Sequence, residues 1–175
     1  MSKTLIFTAT YNEKENIKIL IEKIVNLNKD TDILVIDDNS PDQTGKLLKD
    51  LQKTISNLKV IIREKKLGLD TAHKLAFNYS KENNYQKLIT LDADLSHDPI
   101  EISKIIDLLD TNSFVIGSRY MDGGKCEMSF LRLILSIIGN KIIKYSLKIK
   151  SNEFTTSFRG FNLIKLTNFN LDMVN

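Results

Sequence analysis

The stretch Asp32-Ile33-Leu34-Val35-Ile36-Asp37-Asp38-Asn39-Ser40-Pro41-Asp42-Gln43 decides the fold. Asp32–Asp37 is a short apolar run, the pattern of a strand buried on both faces. It ends in Asp38-Asn39. Ser40-Pro41-Asp42-Gln43 then reads as an N-cap, a proline at the first helical position and a capping glutamine. The helix that follows carries Leu47, Leu48 and Leu51. Working outward, the same unit recurs. Lys3–Thr8 reads as a strand, and Glu13–Asn26 as a helix with Ile17, Leu20, Ile21, Ile24 and Val25 at helical spacing. Asn12 and Glu15 have the spacing of a capping box at its start. Downstream, Leu58–Arg63 predicts a strand, Leu69–Lys81 a helix and Lys87–Asp92 a strand. A helix is expected after Pro99, and Ser113–Ser118 predicts a fifth strand. This alternation predicts an α/β domain with a doubly wound, mostly parallel sheet and helices on both faces. Sheets of this kind bind ligands outside the carboxyl ends of their strands.

Composition narrows the class. The chain has 175 residues, 42% hydrophobic and 27% charged, the balance of a globular domain rather than a disordered or fibrous one. Its 25 Lys and Arg against 22 Asp and Glu leave a net charge of +3, which gives no reason to expect nucleic acid as a partner. A single cysteine, Cys126, excludes an intrachain disulfide and a thiolate metal cluster, and predicts a reducing compartment. Asn12 and Glu13 come too early for a signal-peptide apolar region, and no uncharged apolar run approaches the ~18 residues of a membrane span. No internal repeat, low-complexity segment or linker stands out. From Gly123 the character changes: Met128–Lys150 is apolar but studded with Arg132, Lys141, Lys144, Lys148 and Lys150, and Glu153–Asn175 shows little periodicity.

Polar residues gather where the strands should end: Thr10-Tyr11-Asn12-Glu13, Asp37-Asp38-Asn39-Ser40, Asp92-Ala93-Asp94-Leu95-Ser96-His97 and Gly117-Ser118-Arg119-Tyr120. A parallel sheet brings all four to one rim. Asp92 and Asp94 can share one hard divalent cation, Mg²⁺ or Mn²⁺, or Asp94 can simply cap a turn with Asp92 a solvated strand end. Asp37 and Asp38 can accept hydrogen bonds from a base or ribose, or form an Asx turn. His97 reads either as a substrate contact or as a hydrogen-bonded turn histidine, and Asp98 as a cap of the next helix. Arg63, Lys65 and Lys66 form a basic loop before Gly68. Arg119, Arg132 and Arg159 are either surface residues or an anion site, since guanidinium matches phosphate geometry.

Five stretches together carry a resemblance to family 2 glycosyltransferases, closest to the dolichol-phosphate (polyprenyl-phosphate) mannosyltransferase group. They are Thr10–Ile17 (TYNEKENI), Asp37–Thr44 (DDNSPDQT), Leu91–His97 (LDADLSH), Gly117–Tyr120 with Gly123-Gly124, and Thr155–Arg159 (TTSFR). The resemblance spans Leu5 to Arg159. It implies a GT-A (nucleotide-diphospho-sugar transferase) fold, a nucleotide-sugar donor such as GDP-mannose, and a polyprenyl or dolichyl phosphate acceptor. It implies that Thr10, Tyr11, Glu13, Asp38 and Asp92 surround the donor nucleotide. By the same likeness Asp92, Asp94 and Ser96 form the metal site, with Mg²⁺ or Mn²⁺ as cofactor. Arg119, Arg132, Ser136 and Arg159 match positions that hold the acceptor phosphate, and Asp94, Arg119 and Arg132 those central to catalysis. The expected outcome is inversion at the anomeric carbon. A phosphate-monoester acceptor has a second pKa near ~6, so it is largely ionised at neutral pH and needs no strong general base.

The same resemblance makes residues 1–175 one GT-A domain, with residues 128–150 as an acceptor loop and amphipathic interfacial segment. There Phe130, Leu131, Leu133, Ile134, Ile137 and Ile138 meet lipid, and nearby lysines meet anionic headgroups. An ordinary core helix with a lysine-rich face is the other reading. The expected location is the cytoplasmic face of a membrane, peripherally. Relatives of this group continue past the F-R motif, so the domain is expected to be C-terminally short, with a partner subunit or oligomer supplying the remainder. Five positions depart from the family pattern: Ala9, Asp70, Asp98, Glu153 and Ser157. Three other readings stand beside this one: a family 2 transferase with a carbohydrate acceptor, an inactive nucleotide-sugar-binding remnant, and a phosphoacceptor receiver domain. The last is disfavoured because the acidic pair follows the second strand, not the first.

Overall fold

The computed structural model describes residues 3–28, 30–118 and 156–166, with the isolated helical residues Ile138 and Ser146. The chain divides into two compact units, Met1–Val115 with Phe158–Asn175, and Ile116–Ser157. In the second unit Ile138 and Ser146 are exposed. The first unit alternates strands and helices: β1 (Thr4–Thr10), α1 (Lys14–Leu27), β2 (Thr31–Asp37), α2 (Thr44–Thr54), β3 (Leu58–Ile62), α3 (Leu69–Glu82), β4 (Lys87–Thr90) and α4 (Glu101–Thr111). β5 (Phe114–Ile116) follows, and β6 (Arg159–Asn162) returns to the sheet. The strand order is β3-β2-β1-β4-β6-β5. β1 to β4 run parallel, and β6 runs antiparallel to β4.

Strand pleating explains the two apolar layers. Ile6, Ile33, Val35 and Ile89 point to one face and pack with Ile17, Leu20, Ile21 and Ile24 of α1, Leu48 of α2, and Ile102, Ile105 and Leu109 of α4. Leu5, Phe7, Leu34, Ile36 and Leu88 point to the other and pack on Ala72, Ala76 and Phe77 of α3. Helices therefore cover both faces, and the central strands read as unbroken apolar runs because neither face meets water.

Three expectations need correction. The second helix begins at Thr44, not Pro41, and Gln43 adopts a left-handed backbone (φ 70°) with no side-chain cap. The first helix has Glu13 at its N-cap position and no capping box from Asn12 and Glu15. The region Glu153–Asn175, read as aperiodic, contributes β6, which lies between β4 and β5. β6 is a four-residue Arg-Gly-Phe-Asn strand whose glycine weakens any strand pattern. Tertiary packing demands that glycine: a Cβ on Gly160 would stand 2.5 Å from Ile105 Cγ2 and 2.9 Å from Leu109 Cδ1.

Candidate active site

Parallel pairing sets the rim. Thr10 of β1 lies opposite Asp37 of β2, so both strands end together. β4 runs the same way beside β1, and its chain continues into Leu91-Asp92-Ala93-Asp94 at that edge. Arg159, the first residue of antiparallel β6, pairs with Thr90. The loops after β1, β2 and β4 and the start of β6 thus share one edge of the sheet. Backbones in the uncommon left-handed region collect there as well: Asn12, Asn39, Gln43 and Leu95 all have positive φ.

The first two loops are sewn together by side chains. The Thr10 hydroxyl donates to Asp37 Oδ1 at 2.8 Å. The same carboxylate accepts the Ser40 amide and hydroxyl at 2.9 and 2.6 Å. A helix leaves its first N–H groups without intrahelical partners. At α1 these are met by the β2–α2 loop: Asn12 N donates to Ser40 Oγ (3.0 Å), Glu13 N to Thr44 Oγ1 (3.2 Å) and Lys14 N to Asp42 Oδ2 (3.1 Å). The other Asp42 oxygen accepts the Thr44 amide and hydroxyl. Ser40, read as the cap of the second helix, instead serves the chain entering α1, where Asp42 and Thr44 join it.

Burial would raise the Asp42 carboxyl, but the hydrogen bonds from Thr44 and Lys14 outweigh it and hold the group below its usual range. A carboxyl depressed in the folded state stabilises the fold above its unfolded pKa of about 3.9, and that contribution is lost as pH falls through the folded value. We expect Asp42→Ala to cost about 1 kcal/mol near neutral pH. Denaturant titrations should show the gap between wild type and variant closing at acid pH, and a pH-independent gap would contradict this role.

Asp38 is buried, and its carboxylate has two structural partners. Arg63 NH1 donates to Oδ1 at 2.7 Å, and Gly68 N donates to Oδ2 at 2.9 Å. Both side chains of the ion pair are at most 10% exposed. Arg63 NH1 also reaches Thr71 Oγ1 at 2.8 Å. Arg63 is therefore a buried strut rather than part of a solvated basic loop. Gly68 has φ 92° and ψ 161°, a backbone open to glycine alone, which lets its amide face Asp38. Lys66 crosses to the first loop, its Nζ 3.6 Å from the ring centre of exposed Tyr11. Glu13 Oε2 accepts Asn16 Nδ2 at 3.0 Å.

The third loop holds the D-x-D pair. Asp94 Oδ1 accepts the Ser96 amide at 3.0 Å, closing an Asx turn over Leu95 at φ 64°. Burial would raise Asp94, but hydrogen bonds from the Ser96 hydroxyl and amide prevail and keep it below the usual carboxylate range. An ionised Asp94 beside a partly exposed Asp92 suits a hard divalent cation. Asp92, Asp94 and Ser96 would hold it. Among the described residues no three His, Cys, Asp or Glu side chains could enclose a metal unaided, so the remaining ligands would be water or phosphate. Asp98 Oδ1 accepts the Ile100 amide at 3.1 Å, close to the expected cap of α4.

The sequence reading passed over His73. It lies on α3 with its ring edge-on to Phe7, 5.2 Å between centres. Burial lowers its affinity for a proton, the Arg159 charge lowers it further, and Asp92 and Asp70 oppose. His73 therefore sits within electrostatic reach of both the D-x-D loop and β6. Its place three residues after Asp70 and beside buried Ala72 was the available sign. Asp70 is the first-turn acid of α3, where the helix dipole favours it. Arg119, Arg132, Ser136 and the segment 128–150 lie outside the described residues, Ile138 and Ser146 apart.

The doubly wound sheet carries an acidic D-x-D loop and a second acidic strand end on one rim, and its fold is the GT-A fold of the solved glycosyltransferases it resembles. The chain belongs to glycosyl transferase family 2, which it matches over residues 5–166. It is 33% identical over 175 residues to the polyprenol monophosphomannose synthase of Mycolicibacterium smegmatis, covering 98% of this chain and 66% of that protein. It is 29% identical over 173 residues to the undecaprenyl-phosphate mannosyltransferase of Micrococcus luteus, covering 98% of this chain and 71% of that protein. The chain thus spans about two thirds of the length of these curated relatives. Its fold resembles the mannosyltransferase PcManGT of Pyrobaculum calidifontis, solved with GDP-Man and Mn²⁺, at a TM-score of 0.66 and 17% identity over 97% of this chain and 48% of that one.

Proposed function

We propose that this chain transfers mannose from GDP-mannose to a polyprenyl phosphate at a membrane surface, with Mg²⁺ or Mn²⁺ and with inversion. The observation that carries the reading is the meeting of the Asp92–Asp94 loop with the Arg159 end of β6, across the Thr90–Arg159 pair. The names of the two curated relatives, a polyprenol monophosphomannose synthase and an undecaprenyl-phosphate mannosyltransferase, support it. A fold neighbour solved with GDP-Man and Mn²⁺ supports the donor and metal.

Thr10, Tyr11, Glu13 and Asp38 border the nucleotide in this reading, and Asp92, Asp94 and Ser96 hold the cation. A bound divalent cation would take up the charge that develops on the departing diphosphate. Arg119, Arg132, Ser136 and Arg159 orient the acceptor phosphate for in-line attack. Its ionised oxygen bonds to the anomeric carbon as the bond to GDP breaks, through an oxocarbenium-like state. No proton has to be removed from the nucleophile, so positioning and electrostatics carry the rate. Residues 1–175 act as one domain, and residues 128–150 lie against the cytoplasmic face of the membrane, their lysines toward anionic lipid. Among the described residues no helix is long and apolar enough to cross a membrane.

The test incubates the chain with undecaprenyl-phosphate vesicles, Mn²⁺ and a panel of labelled nucleotide sugars. Label should enter the lipid phase from GDP-mannose, and chelation should abolish it. Label entering from another donor would reassign the sugar. The absence of both lipid product and GDP–Mn²⁺ binding would overturn the proposal.

A further inference from the structure

We infer that His97 is a positioning residue that fixes the Asp92–Asp94 turn and ties it to the start of β6. The inference deepens the reading of that turn as the cation and diphosphate site, and rests on it. Nδ1 of His97 lies 3.2 Å from the Asp92 amide nitrogen. A backbone N–H can only donate, so Nδ1 must offer its lone pair and the ring proton belongs on Nε2. The Nδ1 to Asp92 Oδ2 distance is 3.8 Å, too long for a hydrogen bond. His97 therefore grips the backbone of Asp92 and not its carboxylate. The imidazole is only 12% exposed, so water competes poorly for this bond.

The loop needs such a grip. Leu95 is a bulky residue at φ 64°, a backbone that persists only where its surroundings fix it. The Asp94–Ser96 bond closes the inner turn, and His97 reaching back to residue 92 closes the outer one. The other face of the device is Phe158. It is buried, and the two rings stack at 5.1 Å and 23° between planes. Phe158 precedes Arg159, so one stacked pair sets the spacing between the D-x-D carboxylates and the β6 arginine. This gives His97 a role in geometry rather than in contacting substrate.

Three variants separate the two contacts. His97→Asn keeps an acceptor near the Nδ1 position and loses the stack. His97→Phe keeps the ring and loses the acceptor, and His97→Ala loses both. Exchange of the Asp92 amide should be slow in wild type and His97→Asn and fast in His97→Phe. Equal exchange in all four proteins overturns the inference. Calorimetry with GDP and Mn²⁺ should show about 10- to 100-fold weaker metal binding in His97→Phe, largely rescued in His97→Asn, at matched melting temperatures. Unchanged affinity in His97→Phe also overturns it. If wild type fails to bind GDP and Mn²⁺, the proposed function fails, while the exchange measurement still decides the role of His97.

Discussion

Asp94→Ala should lower the proposed mannosyl transfer by about 10²- to 10³-fold while leaving the fold intact. The carboxylate is exposed and the Ser96 hydrogen bonds hold it below the usual carboxylate range, so in the proposed function it is free to meet the cation and the leaving diphosphate. Losing one of two anionic oxygen donors forfeits several kcal/mol of transition-state charge stabilisation, and each 1.36 kcal/mol is tenfold in rate. The structural cost is the loss of the exposed turn hydrogen bonds from Ser96, about 1 kcal/mol. The melting temperature should therefore move by only about 2–4 °C. Measuring initial rates against Mn²⁺ concentration, alongside a melting curve, distinguishes the two effects. Full metal-dependent transfer by the variant would remove Asp94 from the site.

The opposite balance holds at Asp38. Its carboxylate and Arg63 form an ion pair that is almost wholly buried, and Gly68 N completes the arrangement. Removing the acid alone leaves a guanidinium without its counter-charge in a dry setting, a loss of about 3–5 kcal/mol. For a chain of this size that lowers the melting temperature by roughly 6–20 °C. The double variant Asp38→Ala with Arg63→Met should recover much of the loss, because neither charge then remains buried. Thermal denaturation of the four proteins of this cycle gives the coupling directly. Equal melting temperatures for wild type and Asp38→Ala would mean that solvent, not Arg63, satisfies the carboxylate. The outcome also bears on nucleotide binding, since any ribose or base contact at Asp38 shares a carboxylate already committed to Arg63 and Gly68.

The contrast between the two acids marks how far the chain could be read unaided. Asp37-Asp38 and Asp92-Ala93-Asp94 were both visible as acidic strand ends, because apolar runs of strand length stopped at them. Their different duties were not visible, because those depend on a partner 25 residues away in one case and on a turn two residues long in the other. The helix starts show the same limit. Ser40 has the composition of a cap for the second helix, but it and its neighbours Asp42 and Thr44 serve N–H groups at the start of α1, brought close by the parallel pairing of β1 and β2.

The sequence by itself determined the alternation of strand and helix, the two-sided burial of the central strands, and the acidic residues at the strand ends. Each of these is local: apolar period, strand length and residue type follow from neighbours along the chain. Only the tertiary structure decided the place of β6, the burial of Arg63, and the joining of His97 to Phe158. The Arg-Gly-Phe-Asn strand has almost no strand preference of its own. It forms because β4 offers an unpaired edge and because α4 leaves room there for glycine and nothing larger. Arg63 is drawn under the surface by one acid on another loop. Such outcomes depend on surfaces that exist only after the sheet has assembled, and so no local pattern encodes them.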